Sequence, residues 1–254
     1  MALLEIKNLT HYFGGLCAIS DFNLGIEPSE IVGIIGPNGA GKTTIFNIIT
    51  GVYRAYSGSI VFKGKQIIGK TPSEIAACGI ARAFQNIRLF NGMSVLDNIR
   101  VAYFNNANYG IVDSLLHIGK YRKEEYEIID QAMGLLTFFK MDHLVSELAG
   151  NLPYGLQRRL EIVRAIATGP KLLLLDEPAA GMNPKEIDQL IEFIHLIREE
   201  YDLTIIIIEH QMRLIMNICQ RIKVLDFGTT IADGNPVKIQ NDPIVLEAYL
   251  GVKE

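Results

Sequence analysis

Three short apolar runs stand out in this chain, and each is followed immediately by residues of distinctive chemistry. Residues 30–35 precede a glycine-rich segment, the four leucines of residues 172–175 precede Asp176, and residues 204–208 precede Glu209. Apolar runs of this length, bounded by turn residues, are typical of strands buried on both faces of a parallel sheet. The pattern therefore predicts an α/β protein.

The rest of the chain alternates between strand-like and helix-like spacing. Loose alternation predicts strands at residues 3–9 and 21–26, with a turn at 10–15 between them. The remaining predictions are a strand and turn at 57–65, a hairpin across 222–233, and helices at 45–50, 73–78, 185–201, 212–219 and 242–250.

Between residues 88 and 167 the pattern changes to helical spacing. Helices are predicted at 95–104, 123–139 and 156–168, and in the last of these Arg158 and Glu161 lie off the apolar stripe. We therefore predict one domain over residues 1–254. Its α/β core comprises 1–87 and 168–254, and a helical subdomain is inserted at 88–167.

Composition narrows the class of protein. Of 254 residues, 49% are hydrophobic and 20% are charged, as in ordinary soluble globular proteins. The net charge of -4 argues against a nucleic-acid surface. The three cysteines show no metal-ligand spacing, which favours scattered core thiols in a reducing compartment. We expect no secretion signal and no membrane span.

The glycine-rich segment fits the phosphate-binding pattern G-x-x-x-x-G-K-[ST] between a predicted strand and a predicted helix. Its glycines let backbone N–H groups turn toward a polyphosphate, and the helix N-terminus adds a positive field. Lys42 is expected to reach the outer phosphates and the Thr43 hydroxyl to bind Mg²⁺. The alternative is an accidental glycine turn. The candidate residues are Gly36, Pro37, Asn38, Gly39, Ala40, Gly41, Lys42, Thr43 and Thr44.

Two acidic strand ends supply the next candidates. In an open α/β sheet, ligands bind beyond the carboxyl ends of the strands. Asp176 is placed there, where it could hold Mg²⁺ directly or through water, and Glu177 could orient and deprotonate the attacking water. His210 follows the next strand and could contact a terminal phosphate or help hold Glu177. The alternatives are a solvated acidic turn and a structural histidine.

Two further residues are weaker candidates. Gln85 lies where the core passes into the helical segment, and its neutral amide could sense both metal and nucleophile. Phe13, before Gly14 on a predicted turn, could stack on adenine. In the alternative arrangement Phe13 is a core residue and Tyr12 is exposed.

Taken together, these residues resemble the ATP-binding subunit of an ABC transporter over essentially the whole chain. The matching stretches are Gly36 to Thr44, Gln85, the signature region at Leu152 to Gln157, Leu172 to Glu177, Ala180 to Asn183, and His210. The resemblance implies a P-loop NTPase core with a mainly parallel sheet, an N-terminal antiparallel β subdomain and the inserted helical subdomain. It also implies an ATPase that uses ATP and Mg²⁺, in which Gln85 is a metal ligand and catalytic residue alongside Glu177 and His210. Two cassettes then clamp head to tail, so that each phosphate loop faces the partner's Gly155.

Within that family the chain resembles branched-chain amino acid transport subunits. Four stretches carry this likeness: residues 83–90, 154–162, 176–184 and 241–251. It implies separate permease subunits that contact residues 86–93, a solute-binding protein that acts indirectly, and a position on the cytoplasmic face of the membrane. Urea or amide import and lipopolysaccharide export are alternative roles. A soluble cassette acting on nucleic acid is disfavoured, because the chain has neither two cassettes nor long inserted coils.

Two positions depart from the family pattern. Pro153 replaces the signature serine, so a hydroxyl donor is missing, although Gly155 and the following helix N-terminus remain. Asn183 replaces the usual aspartate and could weaken coupling across the dimer. The family resemblance therefore suggests pairing with a different cassette rather than a homodimer. The alternative is an ATP-binding switch with weak hydrolysis.

Overall fold

The computed structural model describes residues 2–103 and 120–250. Phe104, at the end of one predicted helix, and Gly251, in the tail, lie outside the described residues. Two compact units are present: one combines Met1–Gln85 with Lys171–Glu254, and the other is Asn86–Pro170.

A six-stranded sheet forms the centre of the first unit, in the order β10-β9-β3-β8-β7-β6. All neighbouring pairs are parallel except β9–β10. Every residue of β3, β7 and β8 is buried, as the three apolar runs predict. The strands are β3 (Ile31–Ile35), β6 (Ile80–Ala83), β7 (Leu172–Asp176), β8 (Thr204–Ile208), β9 (Arg221–Asp226) and β10 (Thr229–Gly234).

The short strand β6 is absent from the sequence-based prediction. Its residues, Ile80 to Ala83, include an arginine and two alanines, which favour strands only weakly. The strand forms because β7 offers it a parallel partner, from Ile80↔Leu172 to Ala83↔Leu175.

A second, antiparallel sheet has the order β2-β1-β4-β5. Its strands are β1 (Leu4–Phe13), β2 (Leu16–Ile26), β4 (Ser57–Phe62) and β5 (Lys65–Gln66). The predicted turn at residues 10–15 is wrong in extent. Pairing continues to Phe13↔Leu16, so the turn is confined to Gly14 and Gly15, and Gly14 takes a positive φ of 58°. Phe22 of β2, Leu174 of β7 and Phe46 of helix α1 (Lys42–Ile49) belong to one hydrophobic core, which the two sheets and this helix share.

Helices complete the first unit. They are α1 (Lys42–Ile49), α2 (Pro72–Ala77), α6 (Pro184–Tyr201), α7 (Met212–Ile218), α8 (Pro236–Gln240) and α9 (Pro243–Leu250). With its parallel core sheet, antiparallel sheet and helical unit, the protein has the predicted fold class. No helix within the described ranges has both the length and the apolar character needed to cross a bilayer.

The second unit is helical in its described residues. Its helices are α3 (Val95–Tyr103), α4 (Lys120–Phe138) and α5 (Tyr154–Ala167), and the segment between α4 and α5 contains 3-10 turns at Asp142–Leu144 and Ala149–Asn151. The sequence pattern placed Arg158 and Glu161 off the apolar stripe, yet both side chains are buried. They form an ion pair at 2.9 Å, which supplies each charge with a partner inside the unit.

Candidate active site

The phosphate loop joins buried β3 to helix α1 and depends on glycine at both ends. Gly36 has φ 149°, and a Cβ there would lie 2.0 Å from the Leu225 carbonyl oxygen. Gly41 has φ 98°, and its Cβ would lie 2.5 Å from Ile19 Cδ1. Helix α1 begins at Lys42 without a side-chain cap. Its first N–H groups are thus available to an anion.

Lys42 is held inside the loop. Its Nζ atom donates hydrogen bonds of 2.8 Å to the carbonyl oxygens of both Gly36 and Pro37. Burial lowers the pKa of Lys42, whereas the nearby carboxylates of Glu177 and Asp176 oppose that shift. The Lys42 ammonium group is therefore within electrostatic range of the two predicted acidic residues.

Asp176 is the last residue of β7, and its side chain is only 3% exposed. Its Oδ2 atom accepts a hydrogen bond from Arg82 Nη2 on the neighbouring strand β6, at 2.5 Å. Arg82 Nη1 also donates to Asn47 Oδ1 at 2.8 Å. This arginine neutralises a buried carboxylate, and sequence inspection missed it because β6 itself was not predicted.

Glu177 has an uncommon backbone conformation, with φ 43° in a residue other than glycine. Its N–H donates to the Ile208 carbonyl at 2.8 Å. Its Oε2 atom accepts a hydrogen bond of 2.5 Å from Gln85 Nε2 and lies 3.9 Å from His210 Nδ1. The three predicted catalytic side chains are therefore neighbours.

Two adjoining cavities, of about 640 and 580 Å³, share Asn38 and Glu177 in their walls. Of the sequence-predicted residues, the first is lined by Gly36, Pro37, Asn38, Gln85, Glu177 and His210. The second is lined by Phe13, Asn38, Gly39, Gly41, Lys42, Thr43, Thr44 and Glu177. Ala40 is buried and lines neither. Because the two cavities share wall residues, together they can accept an extended phosphorylated molecule.

Aromatic residues stand at the second cavity. Phe13 is 45% exposed. Its ring packs edge-to-face against His11 and Tyr53, with ring centroids 4.7 Å and 5.3 Å apart. Phe227, in the turn between β9 and β10, also lines this cavity and is 87% exposed. A large exposed apolar side chain at a cavity suggests a ligand contact. Phe227 was not among the sequence candidates.

Gly155 belongs to the second unit. Helix α5 begins at Tyr154 rather than Leu156, so Gly155 lies within its first turn instead of marking its start. Pro153 occupies the N-cap position and supplies no side-chain acceptor, but its carbonyl accepts the N–H groups of Leu156 and Gln157.

Asn183 has a clear local role. It caps helix α6, since its Oδ1 atom accepts from the N–H groups of Lys185 at 3.0 Å and Glu186 at 3.1 Å. The Glu186 side chain accepts the Asn183 N–H in return, at 2.8 Å. Asparagine is as effective as aspartate at this position of a helix.

Two more residues were missed as site residues although their sequence stretches were noted. Tyr249, in helix α9, lines the first cavity, and burial raises its pKa while the Gly36 backbone hydrogen bond opposes the shift. Glu209 is fully buried between the loops that carry Glu177 and His210. The contacts of Tyr249 with Gly36 and of Glu209 with Ala179 have no local sequence signal, because each joins distant parts of the chain.

Comparison with known proteins points to one family. The family model described as ABC transporter matches residues 19–180, and the model for branched-chain amino acid ATP-binding cassette transporters matches residues 229–254. The high-affinity branched-chain amino acid transport ATP-binding protein LivG of Escherichia coli K12 is 44% identical over 249 residues, covering 98% of each chain.

Solved structures give the same result. A nucleotide-free ATP-binding cassette from an ABC transporter superposes with a TM-score of 0.86 at 33% identity, covering 99% of this chain and 100% of that one. The ADP conformation of such a cassette superposes with a TM-score of 0.86 at 32% identity and the same coverage. The resemblance predicted from the motifs is confirmed, and the chain belongs to the ATP-binding subunits of ABC transporters.

Proposed function

We propose that this chain hydrolyses ATP to power the import of branched-chain amino acids through separate membrane subunits. The proposal of ATP hydrolysis rests on one observation: two adjoining cavities are lined by Lys42, Gln85, Glu177 and His210. The transported substrate is inferred from the LivG relative, whose 44% identity extends over 98% of both chains.

The phosphate chain of ATP is expected to lie along the loop and the N-terminus of α1. Lys42 Nζ would exchange its bonds with the Gly36 and Pro37 carbonyls for phosphate oxygens. The uncapped N–H groups at the start of α1 would bind the same anion. Phe13 would provide a face for the adenine ring.

The residues near the loop fit a magnesium ion that arrives with ATP. Thr43 offers a hydroxyl, Gln85 an amide oxygen, and Asp176 its Oδ1 atom, because Arg82 engages Oδ2. Among the described residues there is no cluster of three or more His, Cys, Asp or Glu side chains. This suits Mg²⁺, which keeps several waters and substrate phosphates in its coordination shell. When bound, the ion supplies positive charge that stabilises the phosphate oxygens.

Hydrolysis then requires an oriented water. Glu177 accepts a proton as the water oxygen bonds to the terminal phosphorus, and the bond from that phosphorus to ADP breaks. Gln85 donates to Glu177 Oε2 and fixes the direction of the carboxyl group. His210, 3.9 Å from Glu177, would donate to an oxygen of the departing phosphate.

A second cassette would complete each site through its signature region, as Gly155 of this chain would do for its partner. Because Pro153 has no hydroxyl, a companion cassette with an intact serine would complete the Lys42 and Glu177 site more fully than a second copy. Permease subunits would contact residues 86–93 on the cytoplasmic face of the membrane, and a solute-binding protein would act through them. Pro153 also supports a second candidate function, an ATP-binding switch with weak hydrolysis.

The test is ATP hydrolysis and leucine uptake by the complex reconstituted in vesicles with its membrane subunits and companion cassette. We expect turnover that requires Mg²⁺ and falls to background with Glu177→Gln. If the vesicles take up urea and not leucine, the assignment of branched-chain amino acids as the transported substrate is wrong. ATP binding without turnover in the intact complex would favour the switch.

A further inference from the structure

We propose that Glu209 is a positioning residue that holds the loop of the general base and the loop of His210 at a constant separation. This inference rests on the proposed function. Glu209 directly follows β8, whose last residue, Ile208, pairs with Asp176 on the parallel strand β7. It therefore stands beside the point where the catalytic carboxylates leave the sheet.

The side chain of Glu209 joins two loops through three backbone donors. Its Oε1 atom accepts the N–H of Ala179 at 2.7 Å. Its Oε2 atom accepts the N–H groups of His210 at 2.8 Å and Gln211 at 2.9 Å. One carboxyl group thus connects the segment two residues after Glu177 to the start of the histidine loop.

This connection matters because the backbone of Glu177 is strained. A φ of 43° in a residue other than glycine persists only where the surrounding contacts enforce it. The Ile208 carbonyl holds the Glu177 N–H at 2.8 Å, and Glu209 holds Ala179 on the other side. Together they hold the backbone from which the Glu177 side chain extends, while Gln85 orients its carboxyl group.

Glu209 is placed to act through its neighbours and not on the nucleotide. Its side chain is 0% exposed and lines neither cavity. His210 Nδ1 lies 3.9 Å from Glu209 Oε2 and also 3.9 Å from Glu177 Oε2. A small rotation of one loop relative to the other would change the distance between His210 and Glu177, and displacements of about 1 Å can reduce a catalytic rate about 100-fold.

The decisive variant is Glu209→Gln, which preserves shape but supplies one acceptor oxygen in place of two. If the remaining oxygen accepts the Ala179 N–H, the new NH₂ group faces the N–H groups of His210 and Gln211 and cannot accept from them. If the oxygen accepts from His210 and Gln211 instead, the Ala179 N–H loses its acceptor. In the reconstituted complex we expect kcat for ATP to fall about 10- to 100-fold. The KM for ATP, and the affinity for ATP measured by fluorescence in the same complex, should change by less than about threefold.

Thr204→Val is the matched control. Thr204 lies at the other end of β8, is 1% exposed, and its Oγ1 accepts the Ser29 N–H at 2.8 Å. Its loss removes a buried acceptor from the same strand without touching either catalytic loop. We expect a lower melting temperature with kcat unchanged. Glu209→Asp keeps both oxygens on a shorter side chain, so its kcat should lie between those of Glu209→Gln and the wild type. This variant replaces Glu209→Gln in the test if Glu209→Gln melts below the assay temperature.

An unchanged kcat in Glu209→Gln, or a loss of kcat matched by Thr204→Val at equal melting temperature, would overturn the positioning role. Failure of both Glu209 variants to fold would assign the residue to stability and overturn it as well. These results are distinct from failure of the proposed function, in which the wild-type complex itself shows no turnover that depends on Glu177.

Discussion

Arg82 and Asp176 form an ion pair of 2.5 Å between neighbouring strands, and their side chains are only 5% and 3% exposed. The pair places a positive charge directly behind the carboxylate expected to meet the metal. Arg82 Nη1 also donates a hydrogen bond to Asn47 Oδ1 in helix α1, so the Asp176 carboxyl group is fixed relative to that helix.

Replacing Arg82 by methionine should destabilise the fold strongly. The substitution leaves the Asp176 charge buried without its partner, which costs about 3–5 kcal/mol in the free energy of unfolding. Denaturant unfolding measures this loss. The control is Arg213→Met, which breaks an exposed pair with Asp188 at 2.8 Å and should cost less than about 1 kcal/mol. A similar small loss for both variants would contradict the buried role of Arg82.

Gly36→Ala should disable the phosphate loop. The new methyl group would lie 2.0 Å from the Leu225 carbonyl oxygen, so the loop must move away from β9. We expect the dissociation constant for ATP to rise more than about tenfold, equivalent to about 1.4 kcal/mol. Gly25→Ala is the control, because a Cβ at Gly25 meets nothing within 4 Å. Unaltered ATP binding by Gly36→Ala would show that the loop tolerates this displacement.

Phe13→Ala should weaken binding of ATP but not of inorganic triphosphate. Stacking of a base on an aromatic ring contributes about 1–3 kcal/mol, so the dissociation constant for ATP should rise about 5- to 150-fold. Calorimetric titration with both ligands separates the base from the phosphates. Phe227→Ala, in the wall of the same cavity, should show the same selectivity. Tyr56→Ala removes an aromatic ring that is 76% exposed and lines neither site cavity, and it serves as the control.

Cys219 should make the fold less stable at alkaline pH. Burial raises the pKa of its thiol, so the folded protein keeps a proton that the unfolded chain releases above about pH 9. Cys219 therefore makes its full contribution to the free energy of unfolding below that pH. Above it, the contribution decreases by about 1.4 kcal/mol for each further pH unit. Unfolding of the wild type and of Cys219→Ala at pH 8, 9 and 10 measures the effect. Their difference should shrink as the pH rises; a constant difference would contradict it.

Much of the active site could be predicted because its chemistry is encoded in short segments. The loop that contains Lys42 requires a strand, a glycine turn and a helix that follow one another directly, and sequence shows all three. Asp176 and Glu177 could be found for the same reason, since they directly end an apolar strand. The proximity of Gln85, Glu177 and His210 was expected from the family resemblance, but only the structure supplies their distances.

Other features could not be predicted because their signals are not local. The strand β6 has weak propensity and forms through pairing with β7. Arg158 and Glu161 fall on the polar side of a helical pattern, yet each is buried with the other as its partner. Periodicity assigns charged residues to solvent, and it fails where two opposite charges satisfy one another inside the protein.

The fold class, the family, and the residue types that could bind phosphate and activate water all follow from the amino-acid sequence. These properties depend on contiguous motifs and on the period of apolar residues, both of which are present before the chain folds. Only the folded chain brings Arg82 to Asp176 across 94 positions, and Glu209 to Ala179 across 30. Such contacts arise because sheet pairing brings distant segments together in a buried environment, where each charge or polar group needs a partner.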